Sequence, residues 1–145
     1  MILADVNVLL YAIDERSTRH AAARAWLEGR LTGPETFAFA WSVLTAFIRL
    51  STRASVFVRP LTPQEAFDLV DDWLAQPNVV VVHPGERHAR ILRELLVPLG
   101  TAANLVPDAH LAALSIEHGA TVATSDHDFG RFAGIHWADP LADPA

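Results

Sequence analysis

The sequence predicts an α/β fold: a single domain with a parallel central sheet and helices on both faces. Two observations carry this prediction. Short apolar runs alternate with helical segments along nearly all of the 145 residues, and no internal repeat or linker divides them. The run at residues 79–82 consists of four valines bounded by Asn78 and Pro84, which is typical of a strand buried on both faces of a parallel sheet. We expect the domain to span residues 1–141, with a short C-terminal tail at 142–145.

The elements follow in order from apolar periodicity and from start and stop signals. The segment at residues 62–77 has the clearest helix signals, because Thr62 can cap it, Pro63 suits its first position and Glu65 completes a capping box. The Ala-rich helix that begins at residue 17 is expected to stop at Gly29. The other predicted elements are strands at 1–4, 36–40, 79–82, 121–124 and 135–137, helices at 6–13, 41–52, 87–100 and 107–119, and a short helical turn after residue 124.

The composition excludes several classes of protein. With 51% hydrophobic and 19% charged residues, the chain can bury a core and is not disordered. The absence of cysteine excludes disulfides, thiolate zinc sites and cysteine nucleophiles, and it fits a reducing cytosol. All eleven basic residues are arginine, so there is no lysine for a P-loop, a Schiff base or aspartyl phosphorylation. The apolar N-terminus has no basic flank and contains Asp5 and Asn7, which predicts core rather than a signal peptide or a membrane span. We therefore expect a cytoplasmic protein.

The formal net charge is −6, but the charge is unevenly distributed. Residues 16–59 contain seven arginines and two glutamates, a net charge of +5, whereas residues 60–86 contain five acids and no base, a net charge of −5. One part of the surface could therefore contact phosphates while another repels them. Each arginine is equally well explained as part of a solvated helix face.

Three aspartates stand where strands end or a helix begins. Asp5 follows the first predicted strand, Asp126 follows the strand at 121–124, and Asp108 lies in the first turn of the helix at 107–119. In parallel α/β folds the ligand lies beyond the carboxyl ends of the strands, so we expect these acids to converge on one edge of the sheet. Carboxylates that lie close together repel one another and so raise one another's pKa, and a bound divalent cation offsets that repulsion. The pattern favours a magnesium or manganese site.

Each acid also has a simpler explanation. Asp108 suits the first turn of any helix, and Asp126 could cap the short helical turn that follows it. Asp5 is harder to explain in this way, because it stands inside an apolar segment where an unpaired carboxylate would cost several kcal/mol.

Three motifs in this order resemble a known family. The segments "DVNVLLYA", "PDAHLAA" and "GATVATSDHDFGRF" look like those of PIN domains, specifically of VapC-type toxins of bacterial toxin–antitoxin pairs, and the resemblance runs from Met1 to about Leu141. It implies a Mg²⁺- or Mn²⁺-dependent endoribonuclease that cuts structured RNA such as tRNA or rRNA. It also implies neutralisation by a cognate antitoxin and assembly as a homodimer. Carried over by motif, the metal ligands fall on Asp5, Asp108 and Asp126, with Asp128 as a further catalytic acid.

The sequence departs from the family pattern at one position. PIN domains usually carry a glutamate in the helix after the second strand, where this chain has Ala46 or Phe47, and no acid occurs between Glu35 and Glu65. The number of metal ions, one or two, therefore stays open. So does the alternative of a catalytically weak module that binds RNA or a protein. A flavodoxin-like nucleotide or receiver domain is disfavoured by the missing lysine and the missing Gly-rich loop.

Other residues have supporting roles with open alternatives. Asn7 and Ser125 could hold a phosphate oxygen or a carboxylate, or make local turn hydrogen bonds. Arg49 could reach a substrate phosphate or form an ion pair, and His127 is expected to be exposed and not catalytic. The histidines lack zinc-site spacing. The candidate antitoxin contacts are Trp26 and Trp41, with the core as the preferred place for Trp41.

Overall fold

A computed structural model describes residues 1–143, so residues 144 and 145 of the predicted tail at 142–145 lie outside the described residues. The strands are β1 (Ile2–Ala4), β2 (Phe37–Phe39), β3 (Val79–Val81), β4 (Thr121–Ala123) and β5 (His136–Ala138). The α-helices are α1 (Val6–Ile13), α2 (His20–Leu31), α3 (Trp41–Ser51), α4 (Pro63–Leu74), α5 (His88–Leu96) and α6 (Val106–His118). Short 3₁₀ turns cover Val97–Leu99, Ala103–Leu105 and His127–Arg131.

The five strands form one parallel sheet in the order β3-β2-β1-β4-β5. The chain moves outward from β1 through β2 to β3 and then crosses back past β1 to β4. Right-handed crossovers therefore place α1 to α4 on one face of the sheet and α5 and α6 on the other. The packing agrees, because α1 contacts α2 and α3, α3 contacts α4, and α5 contacts α6. The predicted fold class is confirmed.

The strand order reverses between β1 and β4, and this is the position where parallel sheets bind ligands. Ala4 of β1 is level with Ala123 of β4, and the Asp5 amide donates to the Ala123 carbonyl at 3.0 Å. Ala138 at the end of β5 is level with Ala123 in turn. The residues that follow β1, β4 and β5 therefore meet along one edge.

Aromatic side chains form the core between the sheet and α4. The ring of Trp73 stacks on Phe39 at 5.7 Å between centroids and lies 4.8 Å from the ring of Phe47. The predicted capping box of α4 is confirmed, because Glu65 N donates to Thr62 Oγ1 at 3.2 Å and Thr62 N donates to Glu65 Oε1 at 3.1 Å. No helix within residues 1–143 is both long and apolar enough to span a membrane.

Several predicted boundaries are wrong. The helix α2 does not stop at Gly29 but continues to Leu31. A single helical glycine costs about 1 kcal/mol relative to alanine, which does not end a helix whose later residues pack on the core. The helix predicted at 87–100 ends at Leu96 and tightens into a 3₁₀ turn, because Pro98 has no amide hydrogen to donate to the preceding turn.

Two burial expectations are also wrong. The strand β3 is not buried on both faces: it lies at the edge of the sheet, and Val80 is 38% exposed. Trp41 is not in the core but 46% exposed, because it occupies the first position of α3, just beyond the end of β2. Trp26 is half-buried, with its ring edge-on to Phe37 at 5.8 Å.

Candidate active site

Asp5 is buried at the junction of β1 and α1, where it caps the helix. Its Oδ1 accepts a hydrogen bond from Val6 N at 2.7 Å, and its Oδ2 accepts from Thr124 Oγ1 at 2.8 Å and from Asn7 Nδ2 at 3.2 Å. Burial raises the pKa of Asp5, the bonds from Thr124 and Val6 oppose that rise, and the charge of Asp126 adds to it. The carboxylate is thus oriented by three hydrogen bonds, but its buried environment disfavours the charged form.

Thr124 connects Asp5 to the loop after β4, a role that the sequence reading missed. Its side chain is fully buried. The hydroxyl donates to Asp5 and accepts from Asn7 Nδ2 at 3.0 Å and from Asp126 N at 3.0 Å. The sequence predicts Thr124 only as the last position of a strand, and nothing local in the sequence indicates that its hydroxyl contacts an acid 119 positions away.

Asn7 and Ser125 use their side chains in bonds to protein atoms. Asn7 bonds Asp5 and Thr124 through Nδ2, and its Oδ1 accepts from Ser125 N at 3.1 Å. Ser125 Oγ donates to Asp139 Oδ1 at 3.0 Å. Of the roles left open for these two residues, the geometry favours holding carboxylates over holding a phosphate oxygen.

Asp126 and Asp128 lie on the short 3₁₀ turn after β4. Asp126 Oδ1 accepts from Asp128 N at 2.9 Å, so Asp126 does cap this turn. Asp128 is exposed, and its closest basic group is Arg131 at 3.8 Å. An exposed ion pair at this distance contributes little to stability. The Asp128 carboxylate is therefore accessible to solvent.

Asp108 is half-buried in the first turn of α6. Its pKa is raised to about 6, first by burial and then by the charges of Asp5, Asp126 and Asp128. The structure therefore brings Asp5, Asp126 and Asp128 within electrostatic reach of Asp108; we call these four acids the acid group. Among the ion pairs of residues 1–143, none includes Asp5, Asp108 or Asp126.

The donor chemistry of the acid group suits a hard divalent cation. All four side chains offer carboxylate oxygens, which Mg²⁺ and Mn²⁺ prefer, and their mutual repulsion is relieved by positive charge. In the described part of the chain, no three Asp, Glu or His side chains are arranged so that they could hold a metal ion without moving. The inference of a cation site therefore depends on the uncompensated negative charge around Asp108, not on a complete set of metal ligands.

Helix α3 contributes no carboxylate to the site. Phe47 is fully buried against Trp73, so it faces the core and is excluded as the position that lines the acid group. Ala46 is half-buried and Arg49 is exposed in the last turn of α3. Within residues 1–143, Arg49 takes part in no ion pair.

Asp139 is an acid that the sequence reading missed. Its Oδ1 accepts from Ser125 Oγ at 3.0 Å and from Leu141 N at 2.9 Å, and its Oδ2 accepts from His127 Nε2 at 3.0 Å. Burial alone would raise the pKa of Asp139, but the bonds from His127, Leu141 and Ser125, with the charge of Arg19, hold it below its usual value. Asp139 follows β5 directly, so the rule that selected Asp5 and Asp126 applies to it as well.

A concavity of about 680 Å³ lies elsewhere, between residues 13–16 and 57–65, and contains none of the four acids. We give it no catalytic role, because none of the four predicted acids lines it. The acid group instead lies at the end of the sheet where β1 and β4 terminate.

Comparison with known proteins agrees with this fold. Residues 2–135 match the model of the PIN domain family. The chain is 49% identical over 142 residues to Ribonuclease VapC37 of Mycobacterium tuberculosis, covering 98% of this chain and 99% of the relative. It is 41% identical over 143 residues to Ribonuclease VapC33 of the same species, covering 99% of this chain and all of the relative.

A solved structure, that of VapBC2 from Rickettsia felis bound to a DNA fragment from its promoter, superposes with a TM-score of 0.69. It covers 95% of this chain and 98% of the other at 19% identity, which supports the fold alone. The match to the family model over nearly the whole chain, together with the two full-length relatives, shows that the chain belongs to the PIN domain family, among its VapC members.

Proposed function

We propose that the chain is a VapC-type endoribonuclease toxin that uses Mg²⁺ or Mn²⁺ to cut structured RNA, such as tRNA or rRNA, and is neutralised by a cognate antitoxin. The observation that carries this proposal is the acid group, in which three neighbouring charges and burial raise the pKa of Asp108 to about 6. The relatives named ribonucleases, at up to 49% identity over nearly the full chain, support the same reaction.

Asp5, Asp108 and Asp126 would hold the ion. A divalent ion bound there would supply positive charge to the phosphate and lower the pKa of a bound water. The chain itself orients the ligands: Thr124 and Asn7 hold Asp5 in place, and the Asp128 amide holds Asp126. Asp128, which is exposed, would orient the attacking water.

Arg49 is our candidate for holding the substrate backbone. The acid group repels phosphate until a cation binds, so the RNA must also be held by positive charge elsewhere. Arg49 is exposed and takes part in none of the ion pairs of residues 1–143, which supports this role over the ion pair that the sequence left open.

The partner is an antitoxin that places an arginine among the carboxylates, since the guanidinium fork pairs bidentately with them. Trp41 is the better of the two tryptophan candidates for an apolar contact, because it is exposed just after β2, which is adjacent to β1 in the sheet. We also propose a homodimer. The exposed valines Val58 and Val97, at 70% and 69%, are apolar surface of the kind that interfaces cover.

A second candidate function is a module that binds RNA or protein without cutting. The observation that favours it is the lack of a carboxylate on α3, where Phe47 is core and Ala46 has no ligand atom. The four assembled aspartates favour the nuclease instead.

Incubation of the purified chain with total RNA separates the two candidates. A nuclease cleaves with Mg²⁺ or Mn²⁺, stops with EDTA, and loses activity in Asp5→Asn. The matched control is Asp71→Asn, which removes one exposed acid on α4 and is expected to cleave like the wild type. RNA that is retained by the chain but left intact at every metal concentration would establish the binding module and overturn the nuclease.

A further inference from the structure

Beside the acid group, a buried carboxylate holds an exposed imidazole. His127 Nε2 lies 3.0 Å from Asp139 Oδ2, and the His127 side chain is 70% exposed whereas that of Asp139 is 8% exposed. The imidazole ring also lies 5.3 Å from the ring of Trp137, tilted by 55°. The imidazole is therefore exposed yet restrained by a hydrogen bond on one side and an aromatic ring on another.

The contacts of Asp139 determine which imidazole nitrogen carries the proton. Asp139 Oδ1 accepts from Ser125 Oγ and Leu141 N, and as a carboxylate the group has only acceptor atoms. The nitrogen that faces Oδ2 must therefore donate, so Nε2 of His127 bears the hydrogen. In the neutral ring the other nitrogen, Nδ1, then has a lone pair and acts as an acceptor.

The pair lies on the β5 side of the acid group. His127 stands between Asp126 and Asp128 in the chain, and its bond to Asp139 directs it toward the end of β5. Asp139 follows β5, the neighbour of β4 in the sheet, and neighbouring strands are about 4.8 Å apart. A polynucleotide whose phosphate reaches the acid group would present an adjoining sugar there.

We propose that His127 Nδ1 accepts a hydrogen bond from a ribose 2′-hydroxyl next to the scissile phosphate, which makes the His127–Asp139 pair a determinant of RNA over DNA. A phosphate oxygen offers no hydrogen to this acceptor, whereas the 2′-hydroxyl does and is absent from DNA. The inference rests on the proposed ribonuclease function and deepens it by naming the recognised group. Asp139 is a positioning residue in this scheme, since it acts through His127.

The test compares an RNA oligonucleotide that contains the cleavage site with a set of copies, each carrying one 2′-deoxy sugar near that site. His127→Phe keeps a ring beside Trp137 but removes the nitrogens. Asp139→Asn keeps an acceptor for Ser125 and Leu141 but presents an amide hydrogen to Nε2, which moves the imidazole hydrogen to Nδ1 and turns the acceptor into a donor. His136→Phe, at an exposed histidine on β5, is the matched control.

We expect one 2′-deoxy position to lower kcat/KM of the wild type about fivefold to tenfold, as for the loss of one hydrogen bond. His127→Phe should show that loss on all-ribose RNA and no further loss on the 2′-deoxy copy. Asp139→Asn should lose less on all-ribose RNA, because the 2′-hydroxyl can also accept a hydrogen bond from Nδ1, and His136→Phe should behave like the wild type. Equal 2′-deoxy penalties in the wild type and His127→Phe at every position would overturn the inference.

Binding to an inactive background separates this inference from the proposed function. Affinity of Asp5→Asn for the same oligonucleotides, with and without His127→Phe, reports the ribose contact when no cleavage occurs. A wild-type chain that binds but does not cut would end the nuclease proposal, yet the binding measurement would still decide the contact. Thermal denaturation of each variant identifies losses that come from unfolding.

Discussion

Thr124 Oγ1 donates to Asp5 Oδ2 at 2.8 Å and so joins two residues 119 positions apart at the point where the strand order of the sheet reverses. Both side chains are buried. The same hydroxyl accepts from the Asp126 amide, so one side chain links the end of β1 to the loop that carries the other acids.

Replacing Thr124 with valine should therefore damage both stability and activity. The change leaves Asp5 buried without its shortest side-chain donor, which costs about 1–3 kcal/mol of unfolding free energy. Thr124→Ser keeps the hydroxyl and is expected to lose much less. Chemical denaturation of the two variants measures the difference, and equal unfolding free energies would show that the hydroxyl does not support Asp5.

Asp5→Asn and Asp108→Asn should each abolish metal-dependent RNA cleavage while the fold is kept. Each variant removes a proposed ligand charge, and each also relieves repulsion within the acid group. The melting temperature without metal should therefore hold or rise. Wild-type cleavage rates in either variant, measured with Mg²⁺ present, would show that the proposed ligand set is wrong.

The stability of the metal-free protein should depend on pH through Asp108. Its folded pKa of about 6 lies above the usual value of 3.8 for an aspartate, so the folded state holds this proton more tightly than the unfolded state. The resulting stabilisation is complete below pH 3.8 and is lost as the pH rises through about 6. Because Asp108 is half-exposed, we expect a discounted effect on the order of 1 kcal/mol.

The measurement for this prediction is a series of melting curves for wild type and Asp108→Asn across that pH range. The variant should gain stability relative to the wild type as the pH rises, and added Mg²⁺ should close the gap by stabilising the wild type alone. A constant difference at every pH would contradict the raised pKa of Asp108.

Substitutions on α3 test whether this helix lines the site. Ala46→Glu adds a carboxylate at a half-buried position and should tighten Mn²⁺ binding in calorimetric titration if the position faces the acids. Phe47→Glu should instead unfold the domain, since it removes a core ring beside Trp73, at about 3–5 kcal/mol, and buries a charge. Unchanged Mn²⁺ affinity in a folded Ala46→Glu protein would place the helix outside the site.

Trp41→Ser should leave the fold intact and weaken the antitoxin complex. The side chain is 46% exposed, so we expect a stability change within about 0.5 kcal/mol. Loss of an aromatic contact at an interface typically costs tenfold or more in affinity. Phe67→Ser removes a comparably exposed ring from α4, 48% exposed, and is the control. A complex that tolerates both changes equally would remove Trp41 from the interface.

Elements specified by neighbouring residues were predictable from the sequence. The capping box of α4 joins Thr62 to a residue three positions away, and Gly119 ends α6 in the left-handed conformation that glycine adopts most readily. The acid group could be predicted as well, because a general rule about parallel sheets places residues that follow strands at one edge. Asp5 and Asp126 met that rule from their positions alone, and the charges of Asp5, Asp126 and Asp128 do act on Asp108 and raise its pKa.

The tertiary structure decided what depends on partners distant in sequence. The sheet order made β3 an edge strand, so three of the four valines predicted to be buried on both faces, Val79–Val81, are partly exposed, and only Val82 is buried. The hydrogen bonds from Thr124 to Asp5 and from His127 to Asp139 were not predicted, because strand pairing and the loops beyond it bring these atoms together. Local sequence determines which residues can start, cap or end an element. Which atoms then meet across the sheet depends on the packing of the whole chain, and that packing fixed both the environment of the acids and the orientation of the imidazole beside them.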